Sequence, residues 1–176
     1  MVSAYTVFAN NGIRIAPMFV SKIEDNEGNI ITQFQPRMNE VISSSSAYKM
    51  LVELMAVVDE GTAGRLRHRY NIKGEIGGKT GTTNRNSDAW FLGFTPQLVS
   101  GVWVGGEDRD IHFDSMRMGQ GATMALPIWA YYMKKIYRDS SLPYNTTSVF
   151  DIPEDFDPCS KDEDFIGEFD IDEVYE

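Results

Sequence analysis

The sequence predicts an α+β fold in which helices flank one antiparallel sheet. Three strand-like runs lie near the middle of the chain, at about 76–83, 89–95 and 98–105. Apolar residues recur with helical spacing in three other segments, at 2–11, about 46–59 and about 122–138. Short polar turns join the three strands, so the strands are expected to be neighbours in one sheet.

The N-terminal helix is expected at residues 2–11, where Gly12 after two asparagines is a typical helix stop. No capping residue precedes this helix, which suggests a cut through a larger domain. Two β-rich runs follow at 18–24 and 29–34. They flank the turn-forming residues 25–28 and therefore predict a β-hairpin.

A second helix is expected from about 46 to 59, with Ser44 or Ser45 as its N-cap and Gly61 beyond its end. Its apolar residues predict a buried face made of Met50, Leu51, Leu54, Val57 and Val58. The segment 62–74 is rich in arginine and lysine, and we interpret it as a solvated basic loop.

The last helix carries Pro127 in its first turn, where the missing N–H costs little. The N-terminal and C-terminal helices are expected to be partners on one face of the sheet. The large apolar residues of the second and third strands are expected in the core: Trp90, Phe91, Leu92, Phe94 and Trp103.

Composition limits the class of protein. The 176 residues are 42% hydrophobic, which suits about one globular domain. The single cysteine excludes a disulfide framework, and the isolated His68 and His112 indicate no metal cluster, so neither a metal nor a cofactor is expected. No apolar run of about 18 residues and no signal-peptide pattern occurs. An extracytoplasmic address would therefore have to come from upstream sequence.

The negative charge is concentrated at the C-terminus. The formal net charge is −10, and residues 151–176 hold 12 acidic residues and one lysine, so residues 1–150 carry only +1. A near-neutral body argues against nucleic-acid binding, which needs a clustered basic surface. We interpret 1–150 as the domain and 151–176 as an acidic tail that is disordered, at least when unbound.

The strand around Lys79 has unusual backbone access because glycines surround the lysine. Thr80 and Thr82 alternate with Gly81 and share one face, whereas strict alternation puts Lys79 on the other face. Hydroxyls with a nearby ammonium can hold a carboxylate, and an edge strand offers N–H groups to a peptide or an oxyanion. The Lys-Thr-Gly triplet alone is also compatible with an ordinary turn or strand end.

The wider context is more specific than the triplet. KTGTT, a short polar turn, DAWFLGFTP and a valine-rich strand ending in WVG together resemble the third motif region of penicillin-binding protein transpeptidases. SAYTVFANNGIRIAP, ELMAVVDEGTAG and GATMALPIWAYYMKKI resemble other segments of bifunctional class A members, in the same order. The resemblance covers about residues 2–140.

The resemblance implies the serine β-lactamase/transpeptidase fold, of which this chain would be the C-terminal portion. Lys79 would supply electrostatics and proton relay, while Gly81 would keep the strand approachable. Thr80 and Thr82, with Thr83 beside them, would bind the carboxylate of a peptidoglycan stem peptide or a β-lactam. The N–H of Thr82 would be one of two oxyanion donors. The parent protein would act at the periplasmic face of the inner membrane.

The family's acyl transfer needs an S-x-x-K serine and an S-x-N motif, and both precede the segment that resembles residues 2–11. Ser46-Ala47-Tyr48-Lys49 fits S-x-x-K, but it lies only 33 residues before Lys79, and we interpret it as a chance match. Residues 84–87 contain asparagine and serine in the wrong order for S-x-N. The chain is therefore expected to carry one wall of the site, to lack the nucleophile and to be inactive alone.

Two other functions stay open on the sequence. One is a serine β-lactamase relative, against which the KTGTT–DAWFLGFTP context and the closing helix argue. The other is a non-catalytic binding or assembly module that uses the wall or the acidic tail to hold a partner. An exposed sheet edge would also allow self-association.

Overall fold

The computed structural model of the chain describes residues 1–154, 156 and 157. The helices are α1 (Val2–Ala9), α2 (Ser44–Asp59), α3 (Arg65–His68), α4 (Met116–Gly119) and α5 (Ala125–Arg138). The strands are β1 (Ile13–Ile15), β2 (Lys22–Glu24), β3 (Ile30–Gln33), β4 (Met38–Glu40), β5 (Gly77–Thr82), β6 (Asp88–Thr95) and β7 (Leu98–Gly105). The predicted tail 151–176 lies outside the described residues apart from 151–154, 156 and 157, so its disorder stays a prediction.

The three predicted central strands are confirmed and form one antiparallel sheet in the order β5-β6-β7. Their register places Lys79 opposite Leu92 and Leu92 opposite Gly101. Thr95 Oγ1 closes the two-residue turn between β6 and β7 by accepting hydrogen bonds from the backbone N–H groups of Gln97 and Leu98. The sheet thus has β6 in the centre and β5 at one edge.

Both faces of β6 are buried, which decides where the helices lie. Phe91 meets the Trp129 ring of α5 at a centroid distance of 5.4 Å, and the Trp129 indole N–H donates to Ser100 Oγ at 2.8 Å. On the opposite face, Phe94 contacts Tyr5 of α1 at 6.2 Å. The expectation that the terminal helices pair on one face is therefore wrong. Large apolar residues on both faces of the strand need a helix on each.

Helix α2 lies along the edge strand β5. Its N-cap is Ser43, whose hydroxyl accepts from the Ser46 N–H at 3.2 Å, rather than the expected Ser44 or Ser45. Its fully buried apolar residues are Ala47, Leu51, Leu54 and Val58. Met50 was expected on this face but is 45% exposed, because the 4-3-4 spacing of the buried residues leaves it on the adjoining side.

The segment 62–74 is not a solvated loop. It contains α3, and Leu66, Tyr70 and Ile72 are buried in the main core with α5. Arg67 is tied down as well, since its Nε donates to Asp59 at 2.8 Å. The basic residues dominate the composition of this segment, but the apolar residues between them decide its position.

The N-terminal region after α1 consists of two small ribbons. The predicted hairpin is confirmed as β2 paired with β3, and β1 pairs with β4. Every residue of β2 and β3 is exposed. Within the described residues, no helix is long and apolar enough to cross a membrane.

Candidate functional site

The Lys-Thr-Gly-Thr-Thr segment lies on the terminal strand of the central sheet. Among the described residues, strand β5 pairs only with β6, and no strand lies at its other edge. Antiparallel neighbours alternate between hydrogen-bonded and non-hydrogen-bonded pairs, and Thr83 N donates to Asp88 O at 3.1 Å. By this alternation the N–H groups of Thr80 and Thr82, two positions apart, point away from β6. Two parallel N–H donors therefore face the open edge.

The hydroxyl of Thr80 has a partner from the turn after α2. Thr62 Oγ1 and Thr80 Oγ1 are 3.0 Å apart, and either hydroxyl can be the donor. When Thr62 donates, the proton of Thr80 is available to a bound anion.

The hydroxyl of Thr82 is oriented by the segment that precedes α5. The Gly121 N–H donates to Thr82 Oγ1 at 3.1 Å, so the hydroxyl proton of Thr82 is available to another acceptor. A Cβ at Gly121 would lie 2.3 Å from Trp90 O and 2.7 Å from Gly81 O. Only a glycine lets this segment pass so close to the β5–β6 backbone.

The Lys79 side chain lies on the sheet face opposite Thr80 and Thr82, as strict alternation predicts. Its ammonium donates to Thr80 O at 2.8 Å, which keeps the charge at the open edge of β5. Among residues 1–154, 156 and 157, no carboxylate forms an ion pair with this ammonium. The site thus presents one exposed positive charge beside two hydroxyls and two N–H donors.

Thr83 belongs to the end of the strand rather than to its open edge. Its hydroxyl accepts from Asp88 N at 2.8 Å and donates to Asp88 Oδ2 at 3.1 Å, which closes the β5–β6 connection. The indole N–H of Trp103 donates to the other carboxylate oxygen of Asp88 at 2.9 Å. The indole hydrogen bond, followed by those of Thr83 and Ser87, lowers the pKa of Asp88 below its ordinary value. The structure therefore gives Thr83 a positioning contact.

The expectation that Trp103 is a core residue is wrong. Its side chain is 48% exposed, and it lies opposite Trp90 across the β6–β7 ladder. Trp90 itself is only partly buried. Strand alternation correctly places Trp90 and Trp103 on one face of the sheet. Helix α1 covers this face near Phe94, at one end, and leaves the end with the two tryptophans open.

Ser46 is far from the open edge of β5. It lies in the first turn of α2, where Ser43 Oγ donates to Ser46 Oγ at 2.9 Å. Val58, at the other end of α2, packs against Gly78 of β5. Thr62, just beyond this end of α2, contacts Thr80, whereas Ser46 lies 12 positions before Val58, about 18 Å along the helix. Its hydroxyl therefore does not join the threonines of β5.

Three features of this site were missed or left without a role by sequence reasoning: the Thr62–Thr80 contact, the Gly121 N–H and the Asp88–Trp103 bond. The first two come from segments 18 and 39 residues away in the chain. Only the third had a local signal, because two strands joined by a two-residue turn fix their own register. His112 is exposed, and the described residues hold no cluster of three possible metal ligands.

Comparison with known proteins identifies the family. The model of the penicillin binding protein transpeptidase domain matches residues 1–138. Penicillin-binding protein 1A from Aquifex aeolicus is 41% identical over 138 residues, and that from Neisseria lactamica is 39% identical over 140. These alignments cover 78% and 76% of this chain but only 18% and 17% of the relatives. The chain thus spans less than a fifth of their length.

Solved structures agree. The crystal structure of penicillin-binding protein 1A from Haemophilus influenzae matches with a TM-score of 0.71 at 28% identity, over 84% of this chain and 27% of that one. The imipenem acyl-enzyme complex of penicillin-binding protein A from Mycobacterium tuberculosis matches with a TM-score of 0.56 at 26% identity, over 76% and 29%.

The chain therefore belongs to the penicillin-binding protein transpeptidase family, and its α+β fold is that of a part of the transpeptidase domain. Within the family it is similar to penicillin-binding protein 1A.

Proposed function

We propose that residues 1–150 form the Lys-Thr-Gly wall of a peptidoglycan D,D-transpeptidase site whose acylating serine lies outside the 176 residues. The observation that carries this proposal is the open edge of β5. There the Lys79 ammonium, the Thr80 and Thr82 hydroxyls and two outward N–H groups lie on one strand. Such a strand can bind an extended peptide and its carboxylate together.

The proposed reaction is acyl transfer between stem peptides. The serine oxygen bonds to the carbonyl carbon of the penultimate D-Ala, the C–N bond to the last D-Ala breaks, and that D-Ala leaves with a proton on its amine. The amine of a second stem peptide then attacks the ester, which restores the serine hydroxyl. With a β-lactam, the broken C–N bond belongs to the ring, so the leaving nitrogen stays attached to the acyl group.

Each residue of the wall has a proposed task. Thr82 donates its hydroxyl proton to the substrate carboxylate, since its oxygen already accepts from Gly121. Thr80 does the same when Thr62 donates to it. The Thr82 N–H stabilises the oxyanion, and Lys79 supplies positive charge near the serine. Asp88 and Trp103 hold the end of β5 through Thr83.

The location of Ser46 supports assigning the nucleophile elsewhere. A serine that acylates at this wall must reach the carbonyl held by the outward N–H groups of β5. Ser46 lies about 18 Å along α2 from the Val58–Gly78 contact, and its hydroxyl accepts a hydrogen bond from Ser43. We place the activity on the extracytoplasmic side of the membrane, where peptidoglycan is assembled.

Intact-mass spectrometry after incubation with excess benzylpenicillin tests the proposal. We expect no adduct on the 176-residue chain and one penicilloyl group on a polypeptide extended to include the family's S-x-x-K serine. In the extended polypeptide, Thr80→Val with Thr82→Val should slow acylation about 100-fold, since two hydrogen bonds to a charged group are lost.

Thr32→Val is the matched control, because Thr32 is an exposed threonine on the separate strand β3. Its acylation rate should equal that of the unchanged polypeptide. An adduct on the 176-residue chain would overturn the assignment of the nucleophile. Equal acylation of the Thr80/Thr82 variant and the control would overturn the role of the wall.

We also propose that the open edge of β5 allows self-association of the isolated chain. The outward N–H groups at Thr80 and Thr82 can pair with the same edge of a second copy. Light scattering should then show dimers whose fraction rises with concentration. A monomer at every concentration would contradict this proposal and leave the acylation result unaffected.

A further inference from the structure

A cationic pocket lies between the segment after α3 and the C-terminal end of α5. It has a volume of about 330 Å³, and its lining includes Tyr70, Lys73, Lys134, Tyr137 and Arg138. The Lys134 ammonium stands 5.7 Å from the centre of the Tyr70 ring. The pocket therefore combines an aromatic floor with a rim of three positive charges.

The positive charges of this rim are not neutralised by the folded body. Among residues 1–154, 156 and 157, none of Lys73, Lys134 and Arg138 forms an ion pair. Arg69 adds a fourth cation, 5.8 Å from the centre of the Tyr70 ring. Such a pocket fits a ligand that carries an aromatic ring flanked by carboxylates.

The same chain contains that chemistry. Segment 162–176 reads DEDFIGEFDIDEVYE and holds eight acidic residues, no basic residue and three aromatic residues. Phe169 is flanked directly by Glu168 and Asp170. The folded body carries a net charge of only +1, so this rim is a local concentration of positive charge that the tail complements.

Chain length allows the contact. Thr146 lines the pocket, and Asp157, the last described residue, lies 11 positions further along the chain. The intervening chain can separate Asp157 from Thr146 by about 37 Å at most. From Asp157 the chain reaches about 41 Å at Phe169 but only about 27 Å at Phe165. Asp157 follows Phe156, whose ring packs on Tyr48 of α2 at 4.7 Å, so the tail starts beside α2 and about 41 Å of chain is enough for Phe169 to return to the pocket.

We propose that segment 162–176 docks in this pocket of its own chain, with Phe169 against the partly exposed Tyr137 ring and its acidic neighbours on Lys134 and Arg138. The contact combines aromatic packing with charge pairs at the rim. The exposed charge pairs make it sensitive to ionic strength, because the Debye length falls to about 3 Å at 1 M salt. This proposal is independent of acyl transfer, since no residue of β5 takes part.

A nitroxide on the tail of the full 176-residue chain tests the docking. The label is attached at Asp172→Cys in a Cys159→Ser background, and paramagnetic broadening of backbone amides is recorded at low salt and at 1 M salt. We expect broadening at 70–73 and 134–138 at low salt, and its loss at 1 M salt.

Charge reversal at the rim provides the matched comparison. Lys134→Glu with Arg138→Glu should lower the docked population about tenfold, since two attractive pairs become repulsive. Arg14→Glu with Arg37→Glu makes the same change in charge on the exposed N-terminal ribbon and should leave the broadening unchanged. Phe169→Ala should also reduce the broadening at 70–73, whereas Phe165→Ala should not.

Several results would overturn the proposal. Specific docking is excluded if no broadening occurs at the pocket. It is also excluded if both charge-reversal variants lower the broadening equally. Broadening that rises with protein concentration assigns the pocket to the tail of a second copy. Binding of phosphatidylglycerol vesicles at the pocket amides, with the nitroxide effect absent, assigns it to an anionic lipid surface. If a variant fails to fold, a synthetic 162–176 peptide is titrated instead against the chain with a neutralised tail. The docking is rejected if the peptide shows no saturable binding at low salt.

Discussion

Two antiparallel β-structures in this molecule have similar local patterns and different environments. The β2–β3 hairpin has every residue exposed, and Asp25 holds its turn by accepting hydrogen bonds from Glu27 N, Asn29 N and the Asn29 side chain. The central sheet buries residues on both faces of β6. Strand pairing is therefore encoded locally in both, but only the sheet is fixed by packing against helices. A two-stranded ribbon alone is marginal in water.

This difference explains why the candidate site lies where it does. Strand β5 is open at one edge, yet Gly77 and Gly78 are buried under Phe94, Phe91 and Val58. The core therefore holds one end of β5 in place, and this also fixes the backbone that carries the threonines at its other end. An equally open strand in the exposed hairpin could not hold hydroxyls and N–H groups in one geometry.

The largest expected contrast comes from removing one phenylalanine ring in each region. Phe91 is fully buried against Trp129, whereas Phe19, just before β2, is 96% exposed. Phe91→Ala should lower the free energy of unfolding by about 3–5 kcal/mol through lost burial and a cavity. Phe19→Ala should change it by less than about 0.5 kcal/mol. Urea denaturation of both variants measures the contrast, and equal losses would show that the hairpin is anchored.

A glycine in each region should respond to alanine for different reasons. At Gly93 a Cβ would lie 2.5 Å from the Trp129 ring, so Gly93→Ala should cost about 1–3 kcal/mol by overpacking. At Gly28 the space is empty, but its φ of +86° disfavours any side chain and should cost about 1 kcal/mol. Denaturation midpoints compare the two. A larger loss at Gly28 would mean that α5 moves away easily and that the core is loose.

The hairpin should open without the sheet. Asp25→Ala removes the acceptor for the turn, so hydrogen exchange in β2 and β3 should accelerate about tenfold, because three hydrogen bonds to one carboxylate are lost. Exchange in β6 should be unchanged, because local and global opening are separate processes. Exchange measured by NMR decides this, with Asp139→Ala as an exposed control after α5. Faster exchange in β6 would show that the two regions unfold together.

The smallest effects concern the two carboxylates that close turns in these regions. A hydrogen bond from Asn29 lowers the pKa of Asp25 below 3.8, and a hydrogen bond from Trp103 does the same to the pKa of Asp88. Because the folded pKa is the lower one, each contributes stability that is present above pH 3.8 and is lost as pH falls through the folded pKa.

Trp103→Phe separates the two carboxylates. It removes the indole donor, so the pKa of Asp88 should rise while that of Asp25 stays constant in an NMR titration. Asp88→Asn should remove the acid-dependent loss of stability at the β5–β6 turn only. An unchanged pKa for Asp88 in the Trp103 variant would mean that the indole bond does not form in solution.

The pattern of apolar residues predicted the central strands, the hairpin and the long helices because these depend on neighbours in sequence. The pattern failed for residues whose burial depends on which distant segments cover them. Met50 has the spacing of the buried helical face, but the buried stripe of α2 is narrower than the apolar face in the sequence, and Met50 lies outside it. Trp103 looks like a core residue, yet no helix within residues 1–154 covers its face at that end of the sheet. Residues 62–74 look solvated until Leu66 and Tyr70 are seen in the core.

The sequence by itself determined the family, the strand that carries Lys79 to Thr83 and the alternation that separates the lysine from the threonines. Only the tertiary structure decided which groups surround that strand. Thr62 and Gly121 reach Thr80 and Thr82 because α2 and α5 pack at β5 and β6. Local spacing fixes the direction of a side chain, whereas its partners come from distant segments whose approach depends on the burial of the whole core.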